Sequence, residues 1–236
     1  ATDIDGTART ATPSIGANQF SAAALTPLSG TYTVGTGQTY TTINAAIDAM
    51  KVNGISGPVT FLLNTQTFAE RFVLPSISGS SSTNTITFQA QSGNAADVVL
   101  APAAAADGGT NYIAQLSNAT FVTFRNLSFT PGTGTNFNRA IHVINRADDI
   151  TFENLVITLP ATTSVTEDRT AILARPSTST NIRFINNTVT GGSHGIIHIG
   201  NNSSRSPGTV FTDNTITNVY ARPVFFEYMQ DIVFND

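Results

Sequence analysis

Side chains able to do acid–base or metal chemistry are sparse in this sequence. Its 236 residues hold 15 Asp and Glu, 11 Lys and Arg, 3 His and no Cys. Asp148-Asp149 is an adjacent acid pair, placed by pattern in a loop just ahead of Ile150. Glu167-Asp168-Arg169 reads as a solvated loop tip, while Glu153, Asp213 and Glu227 are scattered. Hydrolysing a glycosidic bond takes two carboxyl groups flanking that bond, and no spacing among these acids announces such a pair. Ser193-His194-Gly195-Ile196 sets a His in a Gly-rich corner, where without its acids it reads as a turn residue. His142 and His198 fall at comparable places on two strands with one strand between them. That separates them by about 9–10 Å, too far to share one ion when metal–nitrogen bonds are about 2 Å. Asp3-x-Asp5-Gly6 is half a calcium loop without the distal Glu that completes one. The lack of Cys excludes a disulfide framework and thiolate chemistry. No catalytic residue, cofactor or metal ligand is assigned from these patterns. Asn118, Asn126, Asn201 and Asn202 begin Asn-x-Ser/Thr sequons, as expected by chance in a chain this rich in Asn and Thr.

Composition narrows the partners. Charged residues make up 11% of the chain, against about 25% in an ordinary globular protein. The surface must then be built from Thr, Ser, Asn and Gln, which favour strands and turns. The net charge of −4 comes with no basic run, which argues against nucleic acid and against electrostatic membrane anchoring. No apolar stretch nears the roughly 18 residues of a membrane span, so no membrane insertion is expected. The opening residues lack the apolar core of a signal peptide, so the chain reads as a mature product or an excised fragment.

The elements that must position these side chains declare themselves through a repeat. A β-branched–x–Phe motif recurs as Val59-Thr60-Phe61, Ile86-Thr87-Phe88, Val122-Thr123-Phe124, Ile150-Thr151-Phe152 and Ile182-Arg183-Phe184, then Thr209-Val210-Phe211 and Ile232-Val233-Phe234. Two residues after the Phe stand Asn126, Asn154, Asn186, Asp213 and Asp236. Five residues after it stand Phe129, Ile157, Val189 and Ile216, each followed by Thr. The β-branched residue and the Phe share one strand face. The next apolar residue lies an odd number of positions on, so only a bend returns it to the same interior. Asn and Asp supply that bend because they tolerate left-handed backbone. A sandwich of unrelated strands gives no reason for one bend residue to recur. The pattern predicts an all-β fold, a right-handed parallel β-helix (β-solenoid) of about seven coils. Phe124, Phe152, Phe184 and Phe211 should form one ladder and Asn126, Asn154, Asn186 and Asp213 another. All seven Phe anchors, through Phe234, are expected in the core.

The ends differ in character. Residues 41–53 carry a helical stripe of Ile43, Ala46, Ile47 and Met50, with a Thr at the start and Gly54 past the end. A helix there would cap the open end of the solenoid. Residues 1–29 lack the repeat and read as the tail of a preceding module plus a linker, and residues 30–236 as the β-helix module. No cap follows Asp236, so the module is expected to be truncated there and to continue into further modules of the same chain.

Two stretches resemble known families. Tyr40-Thr41-Thr42-Ile43-Asn44-Ala45-Ala46-Ile47-Asp48-Ala49, followed by Gly57-Pro58-Val59-Thr60-Phe61 and Phe68-Ala69-Glu70-Arg71, resembles the N-terminal cap and first coil of pectin-lyase-like β-helix proteins, pectin methylesterases among them. Asp3-Ile4-Asp5-Gly6-Thr7-Ala8-Arg9 with Pro13-Ser14-Ile15-Gly16-Ala17 resembles the closing motif of β-helix modules in large Bacteroidota surface proteins, many exported by type IX secretion. The first resemblance implies a fold that often hosts enzymes of acidic polysaccharides. The two Asp and the Arg that methylesterases carry on later coils are not matched here. Of the polygalacturonase motifs only His194 in its Gly-rich setting is similar, without Asn-Thr-Asp or Arg-Ile-Lys. The second resemblance implies a secreted, extracellular chain displayed on a bacterial cell surface, with surface glycans or other surface and secretion proteins as partners. The expected function is a non-catalytic structural or adhesive repeat module. The alternative is a polysaccharide lyase or glycoside hydrolase of acidic glycans whose site lies partly outside this chain.

Overall fold

The computed structural model describes residues 25–133 and 137–235. Most of the segment read as a tail, with Asp3 and Asp5, lies outside the described residues.

The chain winds as a parallel β-solenoid of about seven turns, and its strands stack into three long sheets. The first sheet runs Leu28–Val34, Ile55–Leu63, Ile86–Ala90, Thr120–Arg125, Asp148–Glu153, Ile182–Ile185, Val210–Thr212 and Val233–Asn235, every pairing parallel. The second begins at Gln66–Phe68 and ends at Thr215–Thr217, and the third begins at Phe72–Leu74 and ends at Arg222–Glu227. The strand at Leu28 starts inside the stretch assigned to the linker.

The Phe repeat sets the register. Phe61, Phe88, Phe124, Phe152, Phe184, Phe211 and Phe234 stand one above another. The rings from Phe61 to Phe184 stack with centroids 4.9, 5.5, 6.2 and 5.6 Å apart, spacings at which aromatic pairs attract beyond their buried area. The ladder leaves the core at its far end. Phe211 is half-buried, and Phe234 is 58% exposed on the strand that forms the edge of this sheet among the described residues. Phe234 therefore corrects the expectation that every Phe anchor is buried.

The predicted bend is present at Asn126, Asn154, Asn186 and Asp213, with φ between 51° and 55°. Left-handed backbone costs most residues about 1–2 kcal/mol, and Asn and Asp tolerate it best. The Asn154 amide donates to Asn126 Oδ1 at 3.0 Å, and the Asn186 amide to Asn154 Oδ1 at 2.7 Å. A second left-handed corner, which no motif announced, opens the first sheet. It stacks Phe121, Asp149, Asn181, Gly208 and Asp231, all with φ between 53° and 76°. A third ladder lies inside. Asn187, only 1% exposed, accepts from Leu155 N–H and donates to the Phe152 carbonyl and to Asn214 Oδ1. Asn214 in turn donates to the Phe184 carbonyl.

The helix forms at Ile43–Asn53, with Thr42 capping Ala45 N–H and Gly54 at φ 69°. Its buried stripe is Ile43, Ala46, Ile47 and Met50. It packs on Leu28–Val34 and Phe72–Leu74, so it stands over the first strand of the third sheet. Glu70 pins it there by accepting from Ile43 and Asn44 N–H at 2.8 and 3.0 Å, where a carboxylate also complements the helix dipole. Among the described residues no helix is long and apolar enough to cross a membrane.

Candidate functional site

Polar chemistry concentrates where the chain passes from the second sheet to the third. These connections lie on one edge of the solenoid and are laced together by the backbone. Asn138 N–H donates to the Asp168 carbonyl, Ser193 N–H to Arg169 and Tyr220 N–H to Gly192.

Glu167–Arg169 forms one 3-10 turn capped by Thr166, whose hydroxyl accepts from Asp168 N–H. It is a built element, so the reading as a solvated tip is corrected. Asn111, fully buried, donates to the Asp168 carbonyl at 2.9 Å and lies 3.2 Å from Asp168 Oδ1. Its own carbonyl accepts from Arg139 N–H. The Arg139 side chain is 7% exposed. Its Nη2 donates to the Glu167 carbonyl at 3.2 Å and lies 3.5 Å from Asp168 Oδ1, and Nη1 lies 3.4 Å from His142 Nδ1. Burial lowers the Arg139 pKa, and Asp168 and Glu167 oppose that. His142 Nε2 is 3.0 Å from the Arg175 carbonyl. Burial, then the charge of Arg139, pushes His142 down to about 4. Arg175 closes the cluster with a 2.6 Å ion pair to Glu167.

Beside this cluster opens a shallow groove of about 390 Å³ lined by Val165, Glu167, His194, Ala221 and Arg222. His194 opens the strand His194–Ile199 and is 3% exposed; the turn belongs to Gly191 and Gly192, at φ 83° and 80°. Burial, then Arg222, lowers its pKa. The Arg222 guanidinium lies 4.5 Å over the Phe225 ring, a cation–π contact. The groove thus offers one carboxylate, already ion-paired, with one His and one Arg. It can hold a polar ligand, and among the described residues it lacks the second carboxyl that acid–base cleavage of a glycoside requires.

The structure redistributes the other candidates. His142 pairs in register with Leu173, which pairs with Ile197, whereas His198 pairs with Ala174. The two His are therefore one position out of step and point to opposite faces, because side chains alternate along a strand. His198 is fully buried, with Nδ1 3.3 Å from Thr209 Oγ1. Desolvation pushes it down to about 4. Asp148 and Asp149 belong to a strand rather than a loop. Asp148 accepts from Thr180 N–H and pairs with Arg146, and Asp149 accepts from the Asn181 amide. Of the sequons, Asn126 is half-buried at the bend, while Asn118, Asn201 and Asn202 are exposed. Arg139 and Asn111 gave no sequence signal, since nothing local distinguishes them from surface residues. Among the described residues no three His, Cys, Asp or Glu side chains gather as a metal site.

The outward faces of the sheets are plainer. Thr60, Thr87, Thr123 and Thr151 stand in register on the first sheet, with Arg183 next. Beside them Arg125 and Glu153 form an ion pair at 2.8 Å. On the second sheet Thr188 and Thr190 stack on Thr215 and Thr217.

No family model matches the chain, and no characterised protein matches it by sequence. Among solved structures it is similar to the pectin methylesterase from Aspergillus niger in deglycosylated form, with 12% identity over 90% of this chain and 88% of that one, at a TM-score of 0.45. The same enzyme in its penultimately deglycosylated form aligns at 11% identity over 92% of this chain and 87% of that one, with a TM-score of 0.32. Likeness at this level says nothing of activity.

Proposed function

We propose that this chain is a non-catalytic structural and adhesive module of a secreted, surface-displayed protein, meeting glycans or partner proteins along its Thr- and Asn-lined faces. The observation that carries this reading is the work its carboxylates do. Glu70 caps the helix, Asp148 joins two coils, Glu153 pairs with Arg125, Asp168 gathers Asn111 and Arg139, and Glu167 pairs with Arg175. Carboxylates tied into structure are poor general acids and bases, which must meet the reacting atoms. A solenoid converts sequence into length, and repeated weak contacts along it gain by multivalency. The groove at His194 favours a second reading, a lyase or hydrolase of acidic glycans. One experiment separates them. The chain is incubated with pectins, alginate and neutral polysaccharides, with and without Ca²⁺, while binding, reducing ends and unsaturated sugars are followed. Retention on a glycan without product supports the module. Product well above blank, lost in Glu167→Gln, replaces it with the enzyme.

A further inference from the structure

Arg71 and Arg139 come from the first and third coils and line the same small, partly open cavity. It has room for a single water-sized particle, about 10 Å³. Pro102, Ile113 and Pro131 supply apolar wall, and Asn111, from the coil between, supplies its already engaged amide. Each arginine holds a buried Nε–H with no acceptor among the described residues. A buried donor left unpaired bears its full desolvation penalty, larger when it is charged. The charge is also poorly balanced. Within 4 Å Arg139 finds one carboxylate, Asp168, at 3.5 Å, and Asp168 also serves Asn111 and Thr166. Among the described residues Arg71 has no carboxylate within 4 Å; its Nη2 donates to the Ala103 carbonyl.

We infer that this cavity binds one small monovalent anion between Arg71 and Arg139. A water could accept from both Nε–H groups but would leave the excess positive charge in place. A halide accepts from both donors and offsets that charge. By bridging coils one and three, the ion would clamp the edge of the solenoid that carries the Glu167 cluster. This inference does not depend on whether the module binds glycans.

The test uses the whole chain in chloride-free gluconate buffer at constant ionic strength, with bromide, chloride or fluoride titrated in. A ligand that binds only the folded state raises stability with the logarithm of its concentration. The melting temperature should then rise by roughly 3–5 °C per ten-fold bromide above the dissociation constant. Chloride should act similarly, and strongly hydrated fluoride little. Arg71→Gln, at the more exposed of the two arginines, and Arg139→Gln should each flatten the titration. Crystals grown in bromide should show an anomalous peak between the two guanidinium groups, a readout independent of either variant folding. A melting temperature indifferent to which anion is present, a halide response that survives both variants, or a cavity without anomalous signal would overturn the inference.

Discussion

Position 154 offers a sharp test of how the coil turns. Asn154 has φ 53° and two side-chain bonds, one down to Asn126 and one up to Asn186. Replacing it with Gly removes both bonds, at about 0.5–1.5 kcal/mol each, and keeps the left-handed backbone free of strain. Replacing it with Ala removes the same bonds and adds the left-handed cost of about 1–2 kcal/mol, less what Asn already bears. Asn154→Gly should therefore cost roughly 1–3 kcal/mol, and Asn154→Ala about 1 kcal/mol more. Asn154→Val should cost most, since a branched side chain crowds that region further. This ordering reverses the ordinary one, in which Gly within a strand is worse than Ala by about 0.5–1 kcal/mol. Equilibrium urea unfolding followed by circular dichroism reads the difference directly. If Ala at 154 proves more stable than Gly, the corner is not held by backbone conformation and the account of the repeat fails.

Three other expectations rest on separate parts of the molecule. Phe152, fully buried between Phe124 and Phe184, should cost about 3–5 kcal/mol as Ala, whereas Phe234→Ala, 58% exposed, should cost under about 1 kcal/mol in the same melt. His198, pushed down to about 4 by desolvation, binds its proton more weakly folded than unfolded, where its pKa is about 6.5. Its neutral form therefore stabilises the fold fully above pH 6.5. That contribution, roughly 3 kcal/mol, is lost as pH falls through the window to 4, and His198→Leu should make this acid limb of a stability–pH curve shallower, leaving the part that His142 and His194, also held down by burial, contribute. Glu70→Ala should leave Ile43 and Asn44 N–H without their carboxylate and cost about 1–2 kcal/mol, seen as faster amide exchange confined to Ile43–Asn53.

What could be read from the sequence and what could not divides along a physical line. The repeat was legible because a solenoid makes like residues stack on like. Val-x-Phe followed by Asn reports both a strand face and a left-handed bend, and each coil repeats the message. The second corner stayed hidden because its occupants, Phe121, Asp149, Asn181, Gly208 and Asp231, share a conformation without sharing a residue type. Its register is inherited from the strand that follows, so the sequence there had no need to repeat. Asn187 belonged to no motif, though the structure spends it on the interior. Sequence does not show which of two adjacent Asn turns inward until the bend itself is placed.

The polar edge was illegible for a stronger reason. Arg71, Asn111, Arg139, Asp168 and His194 come from five different connections, and those connections are the parts of the coil whose length varies. Spacing between them carries no information, and only the stacking of coils brings them together. The offset of His142 and His198 makes the same point. Both lie on third-sheet strands with similar sequence around them, yet one extra residue of register sends one outward to Arg139 and the other into the core. In a solenoid, then, the motif predicts the scaffold well and the chemistry poorly. The scaffold depends on residues that must repeat, and the chemistry on residues that occur once each. A functional reading of such a chain has to begin at the edge where its irregular loops meet, which here is the groove and cavity flanking Glu167–Arg169.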